Sequence, residues 1–365
     1  MTIATAPPIH IAILDDYSSS SRTHLSLLEP YISSSRIQIT YLNPSKDHLP
    51  PSALTNLLQP YTIISTMRER THFPREVLSA LPNLKLLLTT GLRNAAVDVK
   101  AAENLGIIVA GTPGRSVVRE EKEGKKSNYD TTNEQTWALI LAVAKGVAEL
   151  DRRIKVGNKW QEPRTEGGFG SATSLAGKTI GIIGLGRLGI QSALTAYHGF
   201  GMNVIAWSEN LTQSKADEAA LSRGLPAGTF KSVSKTELLQ TADVVSVHYV
   251  LSPRSRNLLS ASDLSLLKPS AILVNTSRGP LIDECALLSA LRENKLRGVG
   301  LDVFDEEPLR KDSPWRSEEW SGRVVLSPHM GYANEETLDG WYKVTVENIR
   351  RWLREEDVEN VLKAQ

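Results

Sequence analysis

The chain has 365 residues, of which 41% are hydrophobic and 23% are charged, and its formal net charge is +1. This length suffices for two ordinary domains, and a nearly neutral chain has no general attraction for nucleic acid or for an anionic membrane. No apolar run reaches the length of a membrane span, residues 1–9 show no secretory signal, and the single cysteine, Cys285, excludes an internal disulfide or a multi-cysteine metal site. We therefore expect a cytoplasmic protein that binds neither nucleic acid nor membrane and holds no metal.

Strand-like and helix-like segments alternate in the first third of the chain. The predicted strands are Ile9–Leu14, Ile37–Leu42, Thr62–Thr66, Leu84–Thr90 and Ile107–Ala110. The predicted helices between them are Leu25–Tyr31, Ala53–Leu58, Pro74–Ala80 and Val97–Asn104. This alternation predicts an α/β domain with a doubly wound, mostly parallel sheet.

A second set of strands follows in the middle of the chain and predicts a second α/β unit. These strands are Thr179–Ile183, Val204–Trp207, Val244–His248, Ala271–Asn275, Gly298–Leu301 and Val324–Leu326. A long helical pattern, Gln135–Val156, is predicted to connect the two units, and a last helix, Glu335–Arg354, to lead the chain back out of the second. Cys285 falls in a helical pattern and is expected in the core.

Two segments interrupt this regular pattern. Residues 119–126, with the sequence REEKEGKK, mix charges of both signs and predict a solvated loop. The polar loop 312–320 carries Trp315 and Trp320, whose rings are expected to pack against their own domain or against a partner subunit.

The most informative motif directly follows the predicted strand Thr179–Ile183 and precedes a helical pattern. It consists of Gly184, Leu185, Gly186, Arg187, Leu188 and Gly189. A glycine-rich turn between a strand and a helix brings backbone N–H groups and a helix N-terminus to one point, where a pyrophosphate can bind. The glycines allow a tight turn, close backbone approach and close helix–strand packing. The motif therefore predicts a dinucleotide site.

Three further motifs follow later strands of the second unit: Asn275–Pro280, Asp302–Pro308 and Ser327–Tyr332. Ligands of doubly wound sheets bind beyond the carboxyl ends of the strands. We therefore expect an arginine, a carboxylate and a histidine from these motifs to converge beside the nicotinamide.

Together with the glycine loop, these motifs resemble the D-isomer-specific 2-hydroxyacid dehydrogenase family, which includes hydroxypyruvate/glyoxylate reductases and phosphoglycerate dehydrogenase. The resemblance extends from about Ile9 to Leu353. It implies a Rossmann cofactor domain, residues 131–334, inserted into a flavodoxin-like substrate domain formed by residues 1–130 and 335–365. It also implies an active site in the cleft between them, NAD(H) or NADP(H) as cofactor, and a homodimer formed through the cofactor domain.

The family's catalytic residues fall on Arg278, His329 and Glu307. A guanidinium holds the carboxylate of a 2-oxo acid and polarises its keto oxygen, while an imidazolium supplies the proton that reduction needs. A neighbouring carboxylate favours the charged imidazole and fixes its orientation. Glu307 is preferred over Glu306 because the family places this acid directly before a proline, here Pro308.

The resemblance also assigns cofactor contacts outside the glycine loop, namely Ser208, Glu209, His248, Thr276, Asp302 and Gly331. Asp302 either holds the nicotinamide carboxamide or caps a turn. An acidic residue near the ribose binds its 2′-OH and repels a 2′-phosphate. Ser208 occupies the expected position and Glu209 follows it, which favours NAD(H) slightly and leaves NADP(H) open.

On the substrate side, the family has two glycines in a short loop whose N–H groups bind the substrate carboxylate. Here Gly91 and Leu92 match that loop, but Arg93 replaces the second glycine, which restricts the backbone and adds a charge suited to a larger or more acidic substrate. Arg68, after another strand, matches a substrate-facing position in some relatives.

The predicted function is hydride transfer between NAD(P)H and a small 2-oxo acid, giving a D-2-hydroxy acid. Formate dehydrogenase shares the architecture but typically pairs its histidine with glutamine, so Glu307 argues against it. A cofactor-sensing protein of the transcriptional corepressor kind stays open, because a fold alone does not fix a function.

Overall fold

The computed structural model describes residues 7–46, 49–113, 130–157, 160, 172–320 and 322–364. These residues divide into two compact units. The first unit comprises the described residues up to 113 and those from 333 onward, and the second comprises the described residues from 130 to 332. The charged segment 119–126 lies outside the described residues.

The first unit contains five strands: β1 (Ile9–Leu14), β2 (Ile37–Leu42), β3 (Ile63–Thr66), β4 (Leu86–Thr89) and β5 (Ile108–Gly111). They form one parallel sheet in the order β2-β1-β3-β4-β5. Every residue of β3 and β4 is buried, as expected for parallel strands covered on both faces. This flavodoxin-like order confirms the predicted sheet and places its switch point between β1 and β3.

Short helices connect these strands: α1 (Glu29–Ser33), α2 (Pro51–Leu58), α3 (Arg75–Ser79) and α4 (Val99–Asn104), with 3₁₀ segments at Ser20–Leu28, Pro44–Lys46 and Arg68–Arg70. Apolar clusters cover both faces of the sheet. Ala12 and Leu14 of β1 belong to one cluster and Ile11 to the other, because successive strand side chains point to opposite faces.

The second unit contains seven strands: β6 (Thr179–Ile183), β7 (Asn203–Trp207), β8 (Phe230–Ser232), β9 (Val244–Val247), β10 (Ile272–Asn275), β11 (Gly298–Leu301) and β12 (Val324–Leu326). They form one parallel sheet in the order β12-β11-β10-β9-β6-β7-β8. The strand order reverses at β6, which is the arrangement of a dinucleotide-binding sheet. This confirms the second predicted α/β domain.

The helices of the second unit are α5 (Thr131–Lys145), α6 (Val147–Gly157), α7 (Arg187–Phe200), α8 (Gln213–Leu221), α9 (Lys235–Thr241), α10 (Ala261–Leu264) and α11 (Glu284–Arg292). The last helix, α12 (Glu335–Leu353), belongs to the first unit, where it buries Tyr342, Val346 and Ile349. None of the described helices combines the length and apolarity that crossing a bilayer requires.

The predicted single helix Gln135–Val156, expected to connect the two units, is wrong in two respects: it lies within the second unit, and it is divided into two helices. The chain breaks at Gly146, which adopts φ +68 and ends α5 before α6 begins. Glycine reaches this left-handed conformation without a Cβ penalty, so it ends a helix that the apolar pattern alone would continue.

Two further predictions concern side-chain burial. Cys285 is exposed, which contradicts its predicted place in the core, because α11 turns Leu287, Leu288 and Leu291 inward instead. Trp315 and Trp320 are buried in the core of their own unit, and the Trp320 Nε1–H donates to Pro314 O at 2.7 Å.

Candidate active site

The glycine-rich loop lies between β6 and α7 and leaves one position open. A Cβ at Gly184, which adopts φ +97, would overlap the carbonyl group of His248, and a Cβ at Gly189 would overlap that of Gly184. A Cβ at Gly186, the N-cap of α7, would meet no atom within 4 Å among the described residues. Two glycines therefore allow close packing, while the third keeps the helix N-terminus accessible, so the loop fits a pyrophosphate.

Arg187 is the first residue of α7, and its side chain is already paired. Its Nη1 lies 2.5 Å from Oδ2 of Asp130. Asp130 is also the N-cap of α5, since its Oδ1 accepts the N–H of Thr132 at 3.0 Å. Arg187, which was predicted to contact the cofactor, therefore forms an ion pair with the N-cap residue of another helix, α5.

The other predicted cofactor-side residues occupy the carboxyl ends of neighbouring strands. Ser208 and Glu209 follow β7, with Glu209 exposed, and Leu188 in α7 is half-buried. Nε2 of His248, which follows β9, lies 2.9 Å from Oγ of Ser246. Its buried Nδ1 has no hydrogen-bond partner among the described residues, and burial lowers the pKa of His248 to about 4. His248 is therefore neutral near neutral pH.

Thr276 and Arg278 follow β10 in a closely hydrogen-bonded turn. The Thr276 hydroxyl is buried and lies 2.8 Å from that of Thr136 in α5. Asn275 Nδ2 donates to the carbonyl of Arg278 at 2.8 Å, and Arg278 Nη1 donates to Ser277 O at 2.7 Å. These bonds fix the backbone that carries the guanidinium.

Glu307 and His329 form a direct pair at the carboxyl ends of β11 and β12. Nδ1 of His329 lies 2.5 Å from Oε2 of Glu307, while Oε1 of Glu307 accepts the N–H of Phe304 at 2.9 Å. His329 adopts φ +56, an uncommon conformation for a residue other than glycine. Because Nδ1 faces the carboxylate, Nε2 is the nitrogen that can exchange a proton with a substrate.

The turn of Arg278 and the Glu307–His329 pair are linked through Gly279. A Cβ at Gly279 would overlap the backbone of Phe304, so only glycine allows this approach. Phe304 in turn donates its N–H to Glu307. The strands that carry these motifs are adjacent, with Asn275 of β10 opposite Leu301 of β11 and Leu301 opposite Leu326 of β12. The backbone segments that carry the three motifs therefore lie side by side, and the convergence of their side chains beside a nicotinamide stays a prediction.

Asp302 caps the loop that carries His329. Its buried carboxylate accepts hydrogen bonds from the Ser327 hydroxyl and, at 2.8 Å each, from the N–H groups of Met330 and Gly331. Burial raises the pKa of Asp302, and these three hydrogen bonds oppose that shift. Two roles were predicted for Asp302, a bond to the nicotinamide carboxamide and the cap of a turn. These contacts are those of a cap.

Predicted substrate-side residues lie together in the first unit. Arg68 adopts φ +49, donates its N–H to Oγ1 of Thr90 at 2.9 Å, and accepts a hydrogen bond from Nδ2 of Asn94 at 2.7 Å. Its guanidinium covers Gly91 so closely that a Cβ there would overlap it. The Arg68 guanidinium also lies 5.8 Å from the ring centroid of Trp341.

The loop after β4 departs from the predicted mode of anion binding. The Gly91 N–H donates to Oγ1 of Thr112 at 2.8 Å, so this group serves the fold itself. Leu92 and Arg93 are exposed, and Arg93 is not among the described residues with positive φ, so its side chain causes no strain there. The Gly91 N–H is therefore already engaged, whereas the Arg93 side chain is exposed at the same loop.

Three residues around the site had no role in the sequence-based prediction. Asp130 pairs with Arg187, Gln135 Nε2 donates to the Ser327 hydroxyl at 2.8 Å, and Ser327 donates to Asp302. Asp130 was not marked as an N-cap by the sequence, because the predicted helix begins at Gln135, five residues later. Gln135 carried no sequence signal either, because its hydrogen-bond partner Ser327 is distant in sequence.

Within the described parts of the chain, no group of three or more His, Cys, Asp or Glu side chains is arranged to hold a metal ion.

Comparison with known proteins places this geometry in context. The family model of the D-isomer specific 2-hydroxyacid dehydrogenase NAD binding domain matches residues 137–331. A D-3-phosphoglycerate dehydrogenase of Methanocaldococcus jannaschii is 33% identical over 299 residues, which is 82% of this chain and 51% of the relative, so the match spans about half of that protein. A glyoxylate reductase of Thermococcus litoralis is 33% identical over 281 residues, 75% of this chain and 76% of the relative. The crystal structure of a phosphoglycerate oxidoreductase from Vibrio cholerae matches with a TM-score of 0.78 at 29% identity, covering 95% of this chain and 99% of the other.

Proposed function

Because this chain belongs to the D-isomer-specific 2-hydroxyacid dehydrogenase family, we propose that it transfers hydride between a nicotinamide dinucleotide and a small 2-oxo acid, giving a D-2-hydroxy acid. The observation that carries this proposal is the His329–Glu307 pair, with Nδ1 2.5 Å from the carboxylate, joined to the turn of Arg278 through the close approach of Gly279 and Phe304. A proton donor next to an anion-binding guanidinium is what reduction of a 2-oxo acid requires.

Each of the three residues has a defined task. Arg278 binds the substrate carboxylate and polarises the keto oxygen with its planar fork of N–H groups. His329 delivers a proton to that oxygen from Nε2, and takes it back in the oxidation direction. Glu307 stabilises the imidazolium and holds its orientation through Nδ1. The nicotinamide supplies the hydride.

We assign cofactor binding to residues 131–334 and substrate binding to residues 1–130 and 335–365. In the cofactor domain the loop Gly184–Gly189 would hold the phosphates, because the Cβ position of Gly186 at the helix N-terminus meets no described atom within 4 Å. The proposed contacts beyond this loop are Ser208, Glu209, His248, Thr276, Asp302 and Gly331. Because the Asp302 carboxylate already accepts three hydrogen bonds, its contribution would be to fix the loop 327–331, which would border the nicotinamide.

We propose NAD(H) as the preferred cofactor. Glu209 follows β7 and is exposed, so its carboxylate is available to the ribose 2′-OH and would repel a 2′-phosphate. Initial rates with NADH and NADPH test this assignment. A strong preference for NADPH, unchanged in Glu209→Ala, would contradict it.

On the substrate side we propose that Arg68 and Arg93 bind an anionic group of the 2-oxo acid. The Arg68 guanidinium fills the space above Gly91, and Arg93 is exposed beside it. Arg68→Ala and Arg93→Ala should therefore lower kcat/KM mainly through KM. If both variants keep the wild-type kcat/KM for every 2-oxo acid that is turned over, this assignment fails.

The decisive experiment is a panel of 2-oxo acids, including glyoxylate, hydroxypyruvate and branched or aryl examples, assayed with NADH and NADPH. His329→Gln should lower kcat by about 10²- to 10⁴-fold, because it removes the proton donor while the nucleotide site stays intact. His198→Gln is the matched control, since His198 is exposed on α7 and carries no assigned role. Nucleotide binding without turnover of any panel member would instead favour a cofactor sensor, and formate oxidation by NAD⁺ would favour a formate dehydrogenase.

We also propose a homodimer formed through the cofactor domain. Helix α6 presents an apolar stripe on its exposed surface, with Val147 58%, Leu150 44% and Ile154 52% exposed. These residues recur at helical spacing, which is typical of a helix face that another chain covers. A molar mass of one chain at micromolar concentration would contradict the dimer.

A further inference from the structure

The N-terminal turn of α5 touches two loops of the proposed site at once. Asp130 Oδ2 lies 2.5 Å from Nη1 of Arg187, and the Asp130 N–H donates to Oε1 of Gln191 at 3.0 Å. Arg187 and Gln191 are one turn apart on α7, so Asp130 lies against the face of α7 nearest the glycine loop. The N-terminus of α5 is therefore bonded to the first turn of α7, beside the loop proposed to bind the phosphates.

The same turn of α5 is hydrogen-bonded to the loop 327–331, which carries His329. Thr131 Oγ1 donates to Gly331 O at 3.0 Å, and Gln135 Nε2 donates to the Ser327 hydroxyl at 2.8 Å. A Cβ at Gly331 would lie 3.2 Å from Cγ2 of Thr132, so the contact is tight. Residues 327–331 are thus held both by α5 and by Asp302.

The histidine loop depends on such support. His329 adopts φ +56, and a residue other than glycine keeps this conformation only when its surroundings impose it. Its own N–H donates to Asp302 O at 2.7 Å. A small shift of the α5 turn would therefore change the position of the imidazole relative to Glu307.

Arg187 links the first turn of α5 to the phosphate side of the proposed nucleotide site. Its side chain is 64% exposed, whereas the Asp130 carboxylate is 17% exposed. A long exposed arginine loses its rotamer freedom when it binds an anion, and the ion pair with Asp130 has already restricted it. An anion that contacts Arg187 consequently acts on Asp130 and on the helix that Asp130 caps.

We propose that the first turn of α5 couples occupancy of the phosphate site to the placement of His329, with Asp130 as a positioning residue. This inference rests on the proposed nucleotide binding and goes beyond it. Binding of the nucleotide phosphates at Arg187 steadies Asp130, the α5 turn and the loop 327–331, so that the proton donor is ordered before the substrate arrives.

Hydrogen exchange with ADP-ribose as the probe tests the coupling directly, because this ligand carries the pyrophosphate but no nicotinamide that could touch the histidine loop. In the wild-type chain, saturating ADP-ribose should slow exchange of the Met330 and Gly331 amides by about 3- to 10-fold, since both lose fluctuations that break their bonds to Asp302. In Asp130→Asn the slowing should disappear, although asparagine is still a good N-cap and keeps α5 intact.

Two controls separate this coupling from a purely structural effect. Asp98→Asn makes the same change at the N-cap of α4, where Asp98 accepts the N–H of Ala101, and should keep the wild-type response. Thr131→Val removes the bond to Gly331 and should speed exchange at Gly331 without ligand, while the Kd for ADP-ribose stays within about 2-fold of wild type. Thr55→Val, in α2, is its matched control.

The outcomes are distinct. Equal slowing at Met330 and Gly331 in the wild type and in Asp130→Asn, with ADP-ribose bound in both, would overturn the coupling and leave the proposed function standing. Failure of both ADP-ribose and NADH to bind the wild type would overturn the proposed function and the coupling together. Loss of the response in Asp130→Asn alone, with unchanged melting temperatures, supports the coupling.

Discussion

Two loops of this protein place a glycine just beyond the carboxyl end of a parallel strand, yet the space above the glycine is used differently. In the second unit, Gly186 has no atom within 4 Å of its Cβ position among the described residues. In the first unit, the corresponding space above Gly91 holds the guanidinium of Arg68. The backbone at Gly186 is therefore uncovered, whereas the backbone at Gly91 is covered by the cationic side chain of Arg68.

Under the proposed function, this difference provides two ways of binding an anion. An open glycine loop at a helix N-terminus offers backbone N–H groups and the helix dipole, which suit a pyrophosphate of fixed geometry. A covered loop offers an arginine side chain instead, and its Gly91 N–H already serves Thr112. Side chains vary more readily than backbone geometry does, so, if the proposed function holds, the loop of Gly91 is where substrate preference can change without loss of the fold.

The largest expected effect concerns the loop Gly184–Gly189, in which substitutions of Gly186 and Gly189 should have different consequences. Gly186→Val should fold normally, because Gly186 has φ −89 and open space, but it should weaken binding of NADH by at least about 10-fold, since the side chain occupies the phosphate approach. Gly189→Ala should lower the free energy of unfolding by about 1–3 kcal/mol, because its Cβ overlaps Gly184 O. Calorimetric titration and thermal unfolding measure the two effects. Normal binding by Gly186→Val would contradict the proposed phosphate site.

A smaller effect is expected at the covered loop. Gly91→Ala should displace Arg68 and raise KM for a 2-oxo acid by about 10-fold, with a loss of about 1–2 kcal/mol of stability from the strained φ of +93 and the overlap. Gly106→Ala is the control, because Gly106 has φ +68 but none of the described residues has an atom within 4 Å of its Cβ position.

A double variant sharpens the test at Gly91. In the Arg68→Ala background the overlap is gone, so Gly91→Ala should cost less stability and change KM little. Equal costs in the two backgrounds would show that the guanidinium does not occupy the space above Gly91.

The last prediction concerns the pH dependence of stability and His248, whose carbonyl borders Gly184. Its folded-state pKa of about 4 lies below the usual value of 6.5, so the unfolded chain binds the proton first. The stability should therefore fall as the pH falls from 6.5 towards 4, by up to about 3 kcal/mol from this group. His248→Gln should remove that part of the pH dependence in urea titrations at pH 7 and pH 5. An identical pH dependence in the variant would contradict the burial of a neutral imidazole.

Much of the fold could be predicted from local pattern. Buried strands such as Thr179–Ile183 are read directly from short apolar runs, and the observed β6 has the same bounds. The break at Gly146 and the exposure of Cys285 were missed, because helical periodicity does not report the backbone angle of one glycine or which face of a helix meets the core. The strand β8 was missed because three residues carry too little pattern.

The site shows the same division. The motifs that carry Arg278, Glu307 and His329 are visible because each follows a predicted strand. The pair of Asp130 with Arg187 and the bond from Gln135 to Ser327 were not predictable, since each joins segments that are far apart in the chain.

The amino-acid sequence by itself determined the two parallel sheets, the nucleotide loop and the identity of the chemical groups, because apolar periodicity and glycine spacing act locally. Only the tertiary structure decided which glycine stays open, that an arginine covers Gly91, and that one turn of α5 touches both the phosphate loop and the histidine loop. Those outcomes depend on distances between segments that only the packed chain brings together.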